Sequence, residues 1–363
     1  MNSRNFIRLH IAFTFILLLL FALPTVIVDP CFHYHAPLSG TGYILNDARY
    51  QNDGITEHFS YNALITDSSM TENTLASEVD SLFDVNSVKV CYEGGSYNEI
   101  SDNIRVGLTH NPELKTVFWG TDLTYLLQDK DANFHGIEDY NYKYPWYMVD
   151  QNPFNDVSYI FNKTIFLDKT LPAIRNIRGA NESTSFDEYT SWADNGYIFE
   201  KKSVLLKYDR PDTAAASQAQ PTEEQLEMVY GNVQQNIVQL ATDYPDVTFY
   251  IYIPPYNVLY WDLLIRSGSA DYYLKAQSIL IEECVKVPNI KLYAYGTRES
   301  LVTNLDLYMD TTHYTPQTNS KIFSWIKEET GLLTTDNYAE YLADFKDFYM
   351  NYDYENIFKE EAK

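Results

Sequence analysis

The sequence predicts an α/β fold with a mostly parallel sheet, preceded by one N-terminal transmembrane helix. Three observations carry this. Short apolar runs alternate with stretches of helical spacing. The longest uncharged run lies at the N-terminus. A Tyr-, Asn-, Asp- and Pro-rich stretch interrupts the alternation midway. The 363 residues suffice for one large domain or two small ones, and 45% are hydrophobic, so a sizeable core can form.

In chain order, Arg4 and Arg8 precede Ile11–Val28, an uncharged run apolar apart from Thr14, Pro24 and Thr25. Eighteen residues at ~1.5 Å each give ~27 Å, near the thickness of a bilayer core. Positive charge before the run and acidic sequence after it predict an N-terminus inside and the bulk of the chain outside. A cleaved signal peptide is the alternative. Val26-Ile27-Val28-Asp29-Pro30 makes a poor cleavage site, and Val28 and Asp29-Pro30 before Cys31 do not suit a lipoprotein signal. An uncleaved anchor over residues 1–30 is therefore expected.

Residues 29–59 read as irregular. Strands are expected at Asn62–Thr66, Val88–Tyr92, Thr116–Trp119, Val247–Ile253 and Ile290–Tyr295. Helices are expected at Thr71–Phe83, Tyr97–Leu108, Glu223–Thr242, Ala270–Cys284 and Thr315–Lys327. The break, about residues 124–221, reads as an insertion over the C-terminal edge of the sheet, with a helix at Asp156–Leu167 and a loop at Thr213–Gln220. Residues 31–335 thus form the external domain. Within 336–363, Tyr338, Tyr341, Leu342, Phe345, Phe348, Tyr349 and Tyr352 recur at helical spacing, as a docking face does.

Net charge is −24, with Lys and Arg scattered. Such a chain repels phosphate backbones, so nucleic acid is excluded as a partner, and anionic polymers dock poorly. Cys31, Cys91 and Cys284 are odd in number and allow at most one disulfide. No zinc-type spacing exists. His33 and His35 make two ligands without a third, so neither metal nor cofactor is expected.

Two motifs far apart carry the chemistry. Leu64-Ile65-Thr66-Asp67-Ser68-Ser69-Met70-Thr71 reads as a strand entering a small-residue turn and then a helix; Asp310-Thr311-Thr312-His313 places a carboxylate three residues before an imidazole. A hydroxyl, a base and a group orienting the base are what nucleophilic acyl transfer needs. At the N-terminus of the predicted helix, Ser69 would meet free N–H groups and the positive end of the dipole. Tyr256, Tyr260 and Trp261 follow the strand ending at Pro254-Pro255 and are candidates for an aromatic substrate rim.

The order of these pieces resembles the SGNH/GDSL hydrolase superfamily, a three-layer α/β/α, flavodoxin-like fold. Asp67-Ser68-Ser69-Met70-Thr71 matches the first block, Gly-Asp-Ser-Leu-Thr, in a register that makes Ser69 the nucleophile. Gly94 or Gly95 matches the second-block glycine, which donates to the oxyanion. Gly120-Thr121-Asp122 stands where the third block has Gly-x-Asn, and Asp310-Thr311-Thr312-His313 matches the fourth. The resemblance implies a triad of Ser69, His313 and Asp310, with Gly94, Gly95 and position 122 at the oxyanion. Two residues depart from the pattern: Asp67 replaces the first glycine, and Asp122 replaces an asparagine whose loss as a donor costs ~2.7–4 kcal/mol.

Asp29-Pro30, Phe32-His33-Tyr34-His35, Arg49-Tyr50-Gln51-Asn52-Asp53-Gly54-Ile55, Ser69-Met70-Thr71-Glu72-Asn73 and Asn155-Asp156-Val157 are similar to membrane-anchored SGNH-like proteins of Gram-positive bacteria. That implies a serine O-acyl esterase or O-acyltransferase acting on a cell-envelope glycan, beside a multipass membrane acyltransferase. The competing class is a non-catalytic glycan-binding or assembly protein on a degenerate SGNH fold.

Overall fold

The computed structural model describes residues 3–133, 146–148, 152–193 and 195–359; the rest of the predicted insertion and of the C-terminal tail lies outside them. Six strands form one sheet: β1 (Ala63–Thr66), β2 (Ser87–Lys89), β3 (Thr116–Gly120), β4 (Thr248–Ile253), β5 (Ile290–Ala294) and β6 (Leu332–Leu333). Their order is β2-β1-β3-β4-β5-β6. The first five are parallel, and β6 runs antiparallel to β5. Each predicted strand is present, and β6 is additional. β1, β4 and β5 are one residue shorter than expected, and β3 runs one residue further, to Gly120. β2 begins at Ser87 and ends at Lys89, three residues before the expected end. The direction of winding reverses between β1 and β3, so a crevice opens beyond their C-terminal ends.

Alternation along β3 shows how the layers form. Phe118 stacks on Tyr250 of β4 and meets Phe83 at 4.7 Å and Phe323 at 5.5 Å between ring centroids. Those rings come from the helices Ala76–Phe83 and Pro316–Lys327. Trp119, one residue on, points the opposite way and meets Tyr97 of the helix Tyr97–His110 at 5.7 Å. Successive side chains of a strand leave opposite faces, so helices cover both sides of the sheet. The long amphipathic helix is also present: Glu223–Val233 passes through a π-helical turn, Gln234–Val238, into Gln239–Asp243.

Three local expectations are corrected. Residues 29–59 are not irregular throughout, because Ala48–His58 is a helix. Its buried face is polar (Gln51, Asn52 and Thr56, with Ile55), so it carries no apolar periodicity. The helix expected from Thr71 starts at Ala76, since residues 69–73 form successive turns. Its free N–H groups face a partner from the insertion: Asp187 accepts from the Ser77 N–H at 2.9 Å and the Ser77 hydroxyl at 2.6 Å. The insertion holds short helices rather than one at Asp156–Leu167: Val157–Ile160, a π-turn at Ile165–Thr170 and Leu171–Arg178.

At the N-terminus, Ser3–Val28 is one helix of 26 residues, long and apolar enough to cross a membrane. Its last turns touch the domain. Thr25 is buried with its hydroxyl 3.2 Å from that of Thr170, and Phe21 stacks on Phe166 at 4.2 Å.

At the C-terminus, the aromatic stripe becomes the helix Tyr338–Asn351. Phe345 and Tyr349 each meet Trp261 at 5.0 Å, and the Tyr349 hydroxyl donates to the Gly296 carbonyl at 2.8 Å. Contact is so close that a Cβ at Gly296 would lie 2.3 Å from the Phe345 ring. Gly296→Ala should therefore lower stability by about 1–3 kcal/mol in urea unfolding. Gly231→Ala, on a helix where a Cβ meets only Lys130 Cδ at 3.7 Å, should raise it by about 0.4–1 kcal/mol.

Candidate active site

The two distant motifs meet at the crevice. Ser69 Oγ lies 2.9 Å from His313 Nε2, and His313 Nδ1 lies 2.8 Å from Asp310 Oδ2. Asp310 Oδ1 accepts from the backbone N–H groups of Thr312 (2.9 Å) and His313 (2.8 Å). Burial works against its charge, but the bonds from His313 and Thr312 outweigh burial and hold its carboxyl down at about 2. Asp310 is thus ionised beside the imidazole, fixing the tautomer that leaves Nε2 free to accept from the Ser69 hydroxyl.

Packing holds this loop. Tyr308 and Tyr314 form an antiparallel bridge, and the Met309 N–H donates to the His313 carbonyl at 3.0 Å. The Asn257 side-chain amide donates to the Asp310 carbonyl at 2.8 Å, while its N–H donates to the Thr311 carbonyl at 3.2 Å. Asn257 escaped the sequence reading. Its signal was that of a helix cap: its side chain accepts from the Leu259 N–H at the start of the helix Val258–Ser267.

The turn carrying Ser69 is built on two carboxyls. Asp67 Oδ2 accepts from the Thr71 hydroxyl at 2.8 Å, and Thr71 is also hydrogen-bonded to the Tyr252 hydroxyl. A Cβ at Gly120 would lie 2.2 Å from Asp67 Oδ2, so glycine at 120 makes the room that Asp67 fills. Burial, then the nearby Asp122 charge, push the Asp67 carboxyl well above the usual range. Asp67 Oδ1 has no hydrogen-bond partner among the described residues, as suits a neutral acid.

Asp122 is an acceptor only. It takes the Ser68 hydroxyl at 3.0 Å, the Thr124 N–H at 2.8 Å and the Tyr256 hydroxyl. Three donors compensate its charge, so it does not serve as an oxyanion donor and instead fixes Ser68 beneath the site. The two serines therefore differ: Ser68 is wholly buried and committed to Asp122, while half-buried Ser69 faces His313.

Of the glycine pair, Gly95 spends its N–H on the Tyr92 carbonyl at 2.7 Å. Gly94 adopts φ 66°, closing the turn after β2. Among the described residues, the N–H groups of Gly94 and Ser69 have no hydrogen-bond partner, which leaves them as the available donors. The helix dipole does not reinforce them, because that helix begins at Ala76 against Asp187.

The proposed aromatic rim is not a surface. Tyr256, Tyr260 and Trp261 are 2%, 8% and 2% exposed. Tyr256 bonds Asp122 from beneath, and Trp261 packs on the C-terminal helix. Among the described residues, the aromatic group hydrogen-bonded at the Ser69 turn is Trp192 of the insertion, which the sequence did not single out. Its indole N–H donates to the Ser69 carbonyl at 3.1 Å, and its ring meets the His313 ring edge-on at 5.5 Å. Asn73 Oδ1 secures it by accepting from the N–H groups of Trp192 and Ala193, both at 3.0 Å. Tyr197 and Phe199 then pack on the indole.

A buried lysine also supports the turn. Lys89 Nζ donates to the carbonyls of Glu72, Thr74 (2.9 Å) and Asp187 (3.4 Å), joining the turn to the insertion. The other quoted motifs have similar structural tasks. Asn52 donates to the Cys91 carbonyl, Asp53 accepts from Tyr92 and Asn103, and Asp156 holds His33 and Tyr34. His35 is committed to backbone carbonyls, and all three cysteines are free and buried.

Glu72 yields a pH test. Burial, with Glu93 adding, raises its carboxyl from 4.5 to about 8, against the pull of Lys89 and Arg49. Across that window the folded chain keeps a proton the unfolded chain has released, so stability falls as pH rises. Glu72→Gln should flatten this decline by up to about 1.4 kcal/mol per pH unit, measured by urea unfolding between about pH 5 and pH 8. An unchanged slope would contradict it.

No family model, curated protein or solved structure matches this chain.

Proposed function

We propose that this chain is a cell-surface serine acyl-enzyme of SGNH type, acting as an O-acyl esterase or O-acyltransferase on a cell-envelope glycan. The observation that carries the reading is the hydrogen-bonded series Ser69–His313–Asp310 at the switch point of the sheet. The strand order β2-β1-β3-β4-β5 supports a flavodoxin-like relationship.

In this reading His313 Nε2 takes the Ser69 proton as Oγ attacks the acyl carbonyl. Ionised Asp310 stabilises the imidazolium. The Ser69 and Gly94 N–H groups are the donors left for the tetrahedral oxyanion. His313 then protonates the leaving alcohol, and water or a sugar hydroxyl, deprotonated by the same imidazole, releases the acyl group.

The helix Ser3–Val28 serves as an uncleaved anchor, with Arg4 and Arg8 on the cytoplasmic side and the domain outside. Its contacts with Thr170 and Phe166 support retention, since cleavage would strip packed groups from the domain. A multipass membrane acyltransferase would supply the acyl group for transfer. The acceptor character of Asp122 favours a second reading, a glycan-binding protein that has lost turnover.

Treating the full chain in detergent with a fluorophosphonate, then mapping the adduct by peptide mass spectrometry, decides between them. Labelling is expected at Ser69, lost in Ser69→Ala, retained in Ser68→Ala and slowed about 10³–10⁴-fold in Asp310→Asn. A wild type that does not label, or labels equally after Ser69→Ala, supports the binding protein.

A further inference from the structure

The N-terminal helix and the insertion are packed at a level that bears on where the domain sits. Phe21 is seven residues before the helix end at Val28, about 10 Å along the axis. At that level it stacks on Phe166 at 4.2 Å and faces Phe161 at 6.2 Å. At the other end Arg8 is the last charge before the apolar run. A hydrocarbon core of ~30 Å measured from Arg8 takes about twenty helical residues and ends near Val28. The segment abreast of Phe21 then lies below the outer boundary of that core.

Its surface suits the position. Phe154 is 87% exposed, Val157 55%, Phe161 45% and Leu167 44%, all within or just before the two short elements that pack on the anchor. Large apolar groups clustered beside a span have no reason to face water. Lys163 and Asp168, exposed on the same stretch, set a limit on depth: they favour the headgroup boundary, about 5–10 Å deep, over the bilayer centre.

We infer that residues 154–167 form an apolar collar seated in the outer leaflet beside the anchor, with lipid as its occupant. The inference rests on Ser3–Val28 being a retained span, not on the acyl chemistry. The collar and the Phe21 contacts together fix the domain against the bilayer.

The test places a single new cysteine at Phe161→Cys or Leu167→Cys in the full chain. The native cysteines are buried and should not react in the folded protein. Leu206→Cys is the control: it is 79% exposed on Lys201–Lys207, a helix packed against Leu305–Leu307. Each variant is labelled with a fluorophore and reconstituted into phosphatidylcholine vesicles containing lipid spin-labelled high on the acyl chain. Quenching at positions 161 and 167 should exceed that at 206 by about twofold or more. Equal quenching at all three overturns the collar. So does self-quenching that rises with protein density without lipid quenching, which indicates a second copy. Failure of the wild-type chain to float with vesicles overturns the span itself, while fluorophosphonate labelling reads the acyl site separately. Should Phe161→Cys misfold through loss of its contact with Phe21, Leu167→Cys still decides.

Discussion

The arrangement of this molecule turns on where the Asp67 carboxyl can go. It leaves the end of β1 buried and enters the space a side chain at Gly120 would occupy. From there Thr71, itself hydrogen-bonded to Tyr252, holds it, and the following turn presents Ser69 to His313. Asp122, two residues after Gly120, draws Ser68 inward by the same logic. The crevice floor is thus a pair of acids of opposite habit. Burial and the charge of its neighbour push the Asp67 carboxyl well above the usual range, whereas three donors surround Asp122. Both residues that depart from the SGNH pattern are accounted for as one unit. Adding a methyl at 120 disturbs Asp67 and the serine turn together.

Much of the fold was legible because parallel strands buried on both faces read as apolar runs, and their helices carry an amphipathic period. Ala270–Cys284 is the same in sequence and structure. Ala48–His58 was not legible, since its inward face is made of amides and hydroxyls that satisfy distant carbonyls. The late start at Ala76 was hidden too, because its cause, Asp187, lies more than a hundred residues away. Local propensity carries no record of such a partner.

The site divides in the same way. Ser69, His313 and Asp310 announced themselves through residue type and order, because the chemistry proposed for them requires those groups. Trp192 and Lys89 act through shape and through backbone carbonyls, which many sequences could supply, so neither stood out. Tyr256 and Trp261 stood out for the wrong reason: position after a strand suggested a rim, while size and burial made them core. An aromatic near a site is informative only once the direction of its ring is known.

The threonine pair at the base of the N-terminal helix has a consequence for motion. Thr25 touches Thr170 while Phe21 grips Phe166, so the N-terminal helix and the domain share one joint rather than a flexible tether. A domain on a loose linker samples a volume set by linker length. In the anchored reading proposed above, a domain clamped at its base samples mainly the lateral diffusion of its own helix and rotation about the membrane normal. Encounter with another membrane-embedded component then becomes a two-dimensional search between bodies of restricted orientation. An insertion of a few glycines after Val28 would release the orientation of the domain in that search without touching the crevice.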